Sequence, residues 1–212
     1  GDLVLMEEND DNYDTVAKYK KKKGEYVAKT DRKGNKKTHI DHIAKGILHD
    51  GINFTNDNNT IAVNGTNEDG TRQPTESSVE SFALKLSKFL NKEVSGYALG
   101  AEESNDISKI LIFNTKENSK TDFKDIGYNY NSIIHSGRLN IDSFQGSKAD
   151  LRVNRYAKYH FHTHPDVEVN RLGGINTPSE RDLKHAGSAA LPHFIINSNG
   201  KFPYSEKGSL SN

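Results

Sequence analysis

The stretch Tyr159-His160-Phe161-His162-Thr163-His164-Pro165, followed by Thr177-Pro178-Ser179-Glu180-Arg181-Asp182, decides how this chain is read. Successive side chains of a strand point to opposite sides, so histidines at every second position of an extended run share one face. His160, His162 and His164 therefore line one side of a strand expected over 156–164. Two imidazoles one strand step apart, about 6–7 Å along the backbone, can converge on one ion. Tetrahedral zinc takes His nitrogen at about 2.0–2.1 Å, and a catalytic zinc site keeps three protein ligands and one open position. A third ligand is therefore required.

The segment after the histidines can supply it. Thr177 is a good N-cap residue, Pro178 suits a first helical turn, and Glu180, three residues after Thr177, completes a capping-box pattern. A helix is expected over 177–187, with Ser179 and Asp182 three apart on one face, so that a hydroxyl and a carboxylate look toward the His pair together. Each of these residues has an ordinary explanation alone. Ser179 suits a helix start, Asp182 favours the positive end of the helix dipole, and histidines are common on surfaces. Their joint occurrence is harder to explain that way.

Working outward, Val79, Phe82, Ala83, Leu86, Phe89 and Leu90 fall at the spacing of one helical face, predicting a helix over 77–91. Strands are expected at Tyr97-Ala98-Leu99 and over 107–113, pairing as a hairpin, and a final hairpin is expected from Phe194-Ile195-Ile196 through Asn197-Ser198-Asn199-Gly200 to Phe202-Pro203-Tyr204. The stretch 114–155 carries strand-like fragments around 128–134. Residues 1–65 alternate short apolar runs with turn formers and read as short strands and hairpins, with a polar linker over 64–75. Strands interleaved with helices indicate an α/β (α+β) fold. The expected organisation is an N-terminal β-rich extension over 1–76 and a catalytic unit over 77–212.

Composition narrows the chemistry. Lys plus Arg and Asp plus Glu both number 29, so the formal charge is zero and no whole-molecule field points to nucleic acid or anionic lipid. The basic run from Lys18 to Tyr26, with interleaved tyrosines, could grip a phosphate backbone, but with acidic neighbours over 7–14 it reads better as a solvated hairpin. No apolar run of about 18 residues is long enough to span a bilayer, so neither membrane nor nucleic acid is an expected partner. There is no cysteine, which removes disulfides and thiolate metal sites and leaves His and carboxylates as the available metal ligands. The chain opens at Gly1 without an initiator Met and reads as a piece of a longer polypeptide or an artificial boundary.

With these residues in view, the chain resembles the JAMM (MPN-plus, or JAB-domain) metallopeptidases, whose motif is a Glu, then His-x-His-Pro, then Ser-x-x-Asp. Here the motif reads His162-Thr163-His164-Pro165 and Ser179-Glu180-Arg181-Asp182, and Glu93-Val94-Ser95-Gly96-Tyr97-Ala98-Leu99-Gly100 is similar to the family's Glu-bearing strand after the first helix. The likeness covers about 77–206. It implies a mixed central β-sheet flanked by helices, Zn2+ held by His162, His164 and Asp182, Glu93 as general base and acid, and Ser179 as an oxyanion donor. The implied reaction is hydrolysis of an amide or isopeptide bond in a protein or peptide substrate. Fourteen residues separate His164 from Ser179, longer than the family's usual spacing, so a loop over 166–176 is expected as an insertion beside the site. The polar, Asn-rich chain also resembles the JAB-like domains of bacterial polymorphic toxins. That likeness implies an effector domain, secreted or delivered into a target cell as part of a larger polypeptide, with a cognate immunity protein as partner.

Two rival readings accompany this one. His162-x-His164 followed by Glu168, with His193 as a last ligand, has the spacing of a cupin, an all-β barrel holding octahedral iron or manganese. A JAMM-like scaffold that binds partners without catalysis is the other. Among the remaining histidines, His160 is expected either beside the metal without ligating it or at the surface, His185 near a helix C-terminus, and His39, His42, His49, His135 and His193 as structural or exposed residues.

Overall fold

The computed structural model describes residues 10–48, 59–90, 93–101, 104–112, 157–165, 176–188 and 191–209. The strand fragments expected around 128–134, the inserted loop up to residue 175, His49 and His135 lie outside them. In chain order the described elements are β1 (Tyr13–Ala17), β2 (Tyr19–Lys22), β3 (Glu25–Ala28), β4 (Thr38–Ala44), β5 (Asn59–Ala62), α1 (Glu76–Leu90), β6 (Ser95–Leu99), β7 (Lys109–Ile112), β8 (Ala157–Thr163), α2 (Glu180–Ser188), β9 (His193–Asn197), β10 (Gly200–Ser205) and β11 (Gly208–Ser209). Strands predominate over helices, and the class is α+β.

Seven strands form the main sheet in the order β11-β10-β9-β8-β6-β7-β5. Only β8 and β9 run parallel, joined by a connection that contains α2, and every other neighbour pair is antiparallel. A parallel pair needs such a crossover, whereas antiparallel neighbours can be joined by short turns. The expected β6–β7 and β9–β10 pairings are both present. Among the described residues the sheet is open, ending at β11 and β5, which differs from the closed barrel of the cupin reading.

The two sheet faces have different chemistry. On one, Ala98, Ile110, Ile112, Tyr159, Phe161 and Ile196 form a buried cluster with Val79, Phe82, Ala83 and Leu86 of α1. Fully burying side chains of this kind is worth about 1.5–3 kcal/mol each. Gly96 also faces this cluster, and a Cβ there would overlap the Leu111 carbonyl oxygen and the Phe161 ring. The cluster takes in Ile40, Ile43, Ile47, Ile61 and Val63 as well, and β5 pairs with β7 at the sheet edge. The stretch before residue 76 thus shares one core with the stretch after it.

A polar network fastens the helix to the sheet. The Tyr159 hydroxyl lies 2.5 Å from carboxylate oxygens of both Glu76 and Glu80. Lys201, from β10, donates to the same two groups at 3.1 and 2.7 Å and covers the Tyr159 ring at 3.7 Å. Shared between two carboxylates and pushed upward by burial, the Tyr159 phenol stays protonated throughout the physiological range. On the other side of α1, Lys85 donates to the carbonyls of Asp41 and His42, tying the helix to β4.

The basic run forms the expected hairpin, β2–β3, turning at Lys23-Gly24 with both residues at positive φ. Its strands are exposed on both faces apart from Ala28, with Tyr19 and Tyr26 edge to face at 5.1 Å. No described helix is long and apolar enough to cross a membrane.

Candidate metal centre

The face of the sheet away from α1 carries the histidines. Alternation along β8 sends Tyr159, Phe161 and Thr163 toward α1 and His160 and His162 to the opposite side, where Ser95 and Tyr97 of β6 lie in register beside them. His164 follows at the strand end and is held by its N–H donating to the Ile196 carbonyl at 2.9 Å. Val94 gives its N–H to Thr163 Oγ1 and accepts the Thr163 N–H, both at 2.9 Å. This double tie fixes the approach of Glu93 to the His pair from a segment 69 residues away in sequence.

The third donor comes from α2. Its N-cap is Ser179, two residues later than the Thr177 cap expected from sequence. Asp182 N–H points to Ser179 Oγ at 3.3 Å, and the Ser179 N–H donates back to Asp182 Oδ2 at 2.7 Å. The Ser-x-x-Asp motif is itself the capping box, with Asp in the position usually taken by Glu or Gln. Upstream, Asn176 accepts from Asn197 Nδ2 at 2.8 Å, which fastens the approach to α2 onto the end of β9.

These elements bring His162, His164 and Asp182 together, with one donor atom from each lying within 4.8 Å of the others. The Nε2 atoms of His162 and His164 are 3.0 Å apart, and Asp182 Oδ2 is 3.7 Å from His162 Nε2. Ligands at about 2.05 Å from a common tetrahedral centre are separated by about 3.3 Å. These two distances lie on either side of that value and all three donor atoms lie within 4.8 Å, so two imidazoles and a carboxylate could hold a small divalent ion. Glu93 stands just outside the three, its Oε1 3.5 Å from His164 Nε2.

Burial gives the group a closed and an open side. The His162 and Asp182 side chains are 0% and 3% exposed, whereas those of His164 and Glu93 keep 16% and 23%. Among the described residues, the exposed part of the group is formed by Glu93 and His164. Burial pushes the Asp182 carboxyl up, but the His162 imidazole, the Ser179 hydroxyl and N–H, and His164 together hold it below its ordinary value. It is an anion under all ordinary conditions and ready to bind a cation.

Ser179 is engaged with the metal-facing carboxylate. Its hydroxyl donates to Asp182 Oδ2 at 2.7 Å, and a hydroxyl has a single proton to give. In this arrangement Ser179 orients the carboxylate.

A buried layer lies behind the group. His160 and His193 are 2% and 1% exposed, with Nδ1 atoms 3.3 Å apart, and Tyr204 packs against both His162 and His193. The Ser95 hydroxyl is buried in the same face with no hydrogen-bond partner among the described residues. In the sequence His193 stands as the last ligand of the cupin reading or as a structural or exposed residue. The parallel register that sets it opposite His160 is not local. His39 and His42 are exposed positions of β4, as expected. The side chain of His185 is outside the described set.

No family model, curated protein or solved structure matches this chain.

Proposed function

We propose that the chain is a JAMM-type zinc hydrolase that cleaves amide or isopeptide bonds. The reading is carried by the convergence of His162, His164 and Asp182 within 4.8 Å, with the Glu93 carboxylate beside His164. The donor set of two imidazoles and one carboxylate, with no thiolate, suits a catalytic zinc with an open position. When bound, zinc supplies Lewis acidity and acidifies a water molecule to a pKa of roughly 7.

The chain's own residues account for the rest. His162 and Asp182 form the buried wall of the centre, and His164 forms its open rim. Glu93, half outside the wall and not one of the three donors, is placed to take a proton from water during attack on a carbonyl carbon and to return it to the leaving amine. The Asp182 charge is kept in place by the α2 cap, so the anionic ligand is oriented before metal arrives. A role for Ser179 in stabilising an oxyanion requires its hydroxyl to turn away from Asp182 first.

The open sheet and the packed α1 favour this reading over a cupin barrel, and the presence of a complete donor set favours catalysis over a binding scaffold. The polymorphic-toxin likeness adds the proposal that the domain acts inside a target cell and is neutralised by an immunity protein. Slowed growth of a bacterial host by the wild type, and not by Glu93→Ala, supports that part, and equal growth contradicts it.

The enzymatic proposal is tested by incubating wild type and Glu93→Ala with a cell lysate and reading new N-termini and newly freed lysine side chains by mass spectrometry. New termini with the wild type alone are expected. Identical peptide patterns from the two proteins, with zinc bound to both, would remove hydrolysis as the function.

A further inference from the structure

We infer that Tyr204 is a positioning residue for this centre, its phenol holding the His162 ring in the tautomer that turns Nε2 toward the metal. The inference rests on the zinc reading above. Tyr204 lies on β10, two strands from β8 in the sheet and 42 positions from His162 in sequence, and belongs to no motif. Its hydroxyl nevertheless sits 3.4 Å from His162 Nδ1, and its ring stands edge-on to the imidazole with centroids 5.7 Å apart.

The geometry assigns the two His162 nitrogens different tasks. Nε2 is the atom near His164 Nε2 and Asp182 Oδ2, while Nδ1 points to the phenol. A neutral imidazole carries one N–H and one lone pair. A ring that ligates through Nε2 must hold its proton on Nδ1, and that N–H needs an acceptor in a fully buried site. Metal-binding histidines usually find this acceptor in a carboxylate, a carbonyl or water. Here the phenol oxygen of Tyr204 occupies the place.

The phenol is itself held firmly. Tyr204 is 3% exposed, is paired in register with His193, and packs against the His193 ring at 5.5 Å. On the opposite face of β10, Lys201 is anchored to Glu76 and Glu80 of α1, so the strand cannot slide without breaking that ion pair. The position of one oxygen is thus set by the packing of the whole sheet.

Tyr204→Phe removes that oxygen and keeps the ring. Zinc affinity, measured by chelator competition, is expected to weaken by about 10–100-fold, with the thermal melt of the metal-free protein unchanged. Long-range proton–nitrogen NMR of the metal-free wild type, at mildly alkaline pH where the ring is neutral, is expected to show the His162 proton on Nδ1, and Tyr204→Phe is expected to shift it toward Nε2. Unchanged zinc affinity in Tyr204→Phe, a wild-type proton on Nε2, or a loss of affinity without a change of tautomer each overturns the inference. Should Tyr204→Phe not fold, the wild-type tautomer decides alone. A wild type that binds no zinc sinks the metal reading instead, which separates the two failures.

Discussion

The hydroxyl of Ser179 donates to Oδ2 of Asp182 across 2.7 Å, and Asp182 accepts the Ser179 N–H with the same oxygen. One pair of residues thus starts α2 and aims the carboxylate at His162. The same contacts start the helix and place one donor of the candidate metal centre.

Ser179→Ala is therefore expected to act first on stability. Loss of an N-cap hydroxyl costs about 0.5–2 kcal/mol, measurable as a lower urea midpoint in the metal-free protein. Zinc affinity should fall as well, since Asp182 loses one of its two orienting contacts. Unaltered stability in the metal-free variant would mean that the cap is made elsewhere.

Glu93→Gln keeps the shape of the side chain and removes its basicity. Turnover is expected to fall by about 10²–10⁴-fold, the range for loss of general acid–base catalysis, with zinc content unchanged. Zinc content and single-turnover rate measured on one preparation check this, and near-normal turnover would remove Glu93 as the base.

The α1 helix was readable because Val79, Phe82, Ala83 and Leu86 repeat at helical spacing, and all four are buried in the core. The β8 strand was readable because its histidines alternate with Tyr159 and Phe161, and the two sets do go to opposite sheet faces. The start of α2 was misplaced because Thr177 with Glu180 and Ser179 with Asp182 satisfy the same capping pattern. Tertiary contacts decide between them, and Asp182 is the residue drawn inward. His193 and Tyr204 carried no local signal, since their nearness to His162 depends on strand order and register. The joining of β5 to β7 escaped notice for the same reason, because four residues of Asn59–Ala62 say nothing about a partner at Lys109–Ile112.

The acid limb of stability should carry the mark of Asp182. Its folded-state pKa is lowered, so its contribution is fully present above the unfolded value of about 3.9 and is lost as pH falls through the folded value. The stability difference between wild type and Asp182→Asn in the metal-free protein is expected to shrink as pH falls below about 4. Urea unfolding at a series of pH values checks this. A difference that grew as pH fell below about 4 would reverse the sign and contradict the assigned environment.

Gly96→Ala tests the packing that brings β6 against β8. The added methyl would overlap the Leu111 carbonyl and the Phe161 ring, neither of which can withdraw freely from the core. A loss of about 1–3 kcal/mol is expected, as for other overpacked positions. A melt equal to that of the wild type would show that the strands can separate more readily than the register implies.

Zinc titration of the metal-stripped protein by calorimetry, with His162→Ala and Asp182→Ala alongside, tests the central claim most directly. One ion per chain is expected in the wild type, and a loss of binding in both variants that leave the rest of the fold intact. Equal binding by all three proteins, or none by the wild type, would contradict a centre built from these side chains.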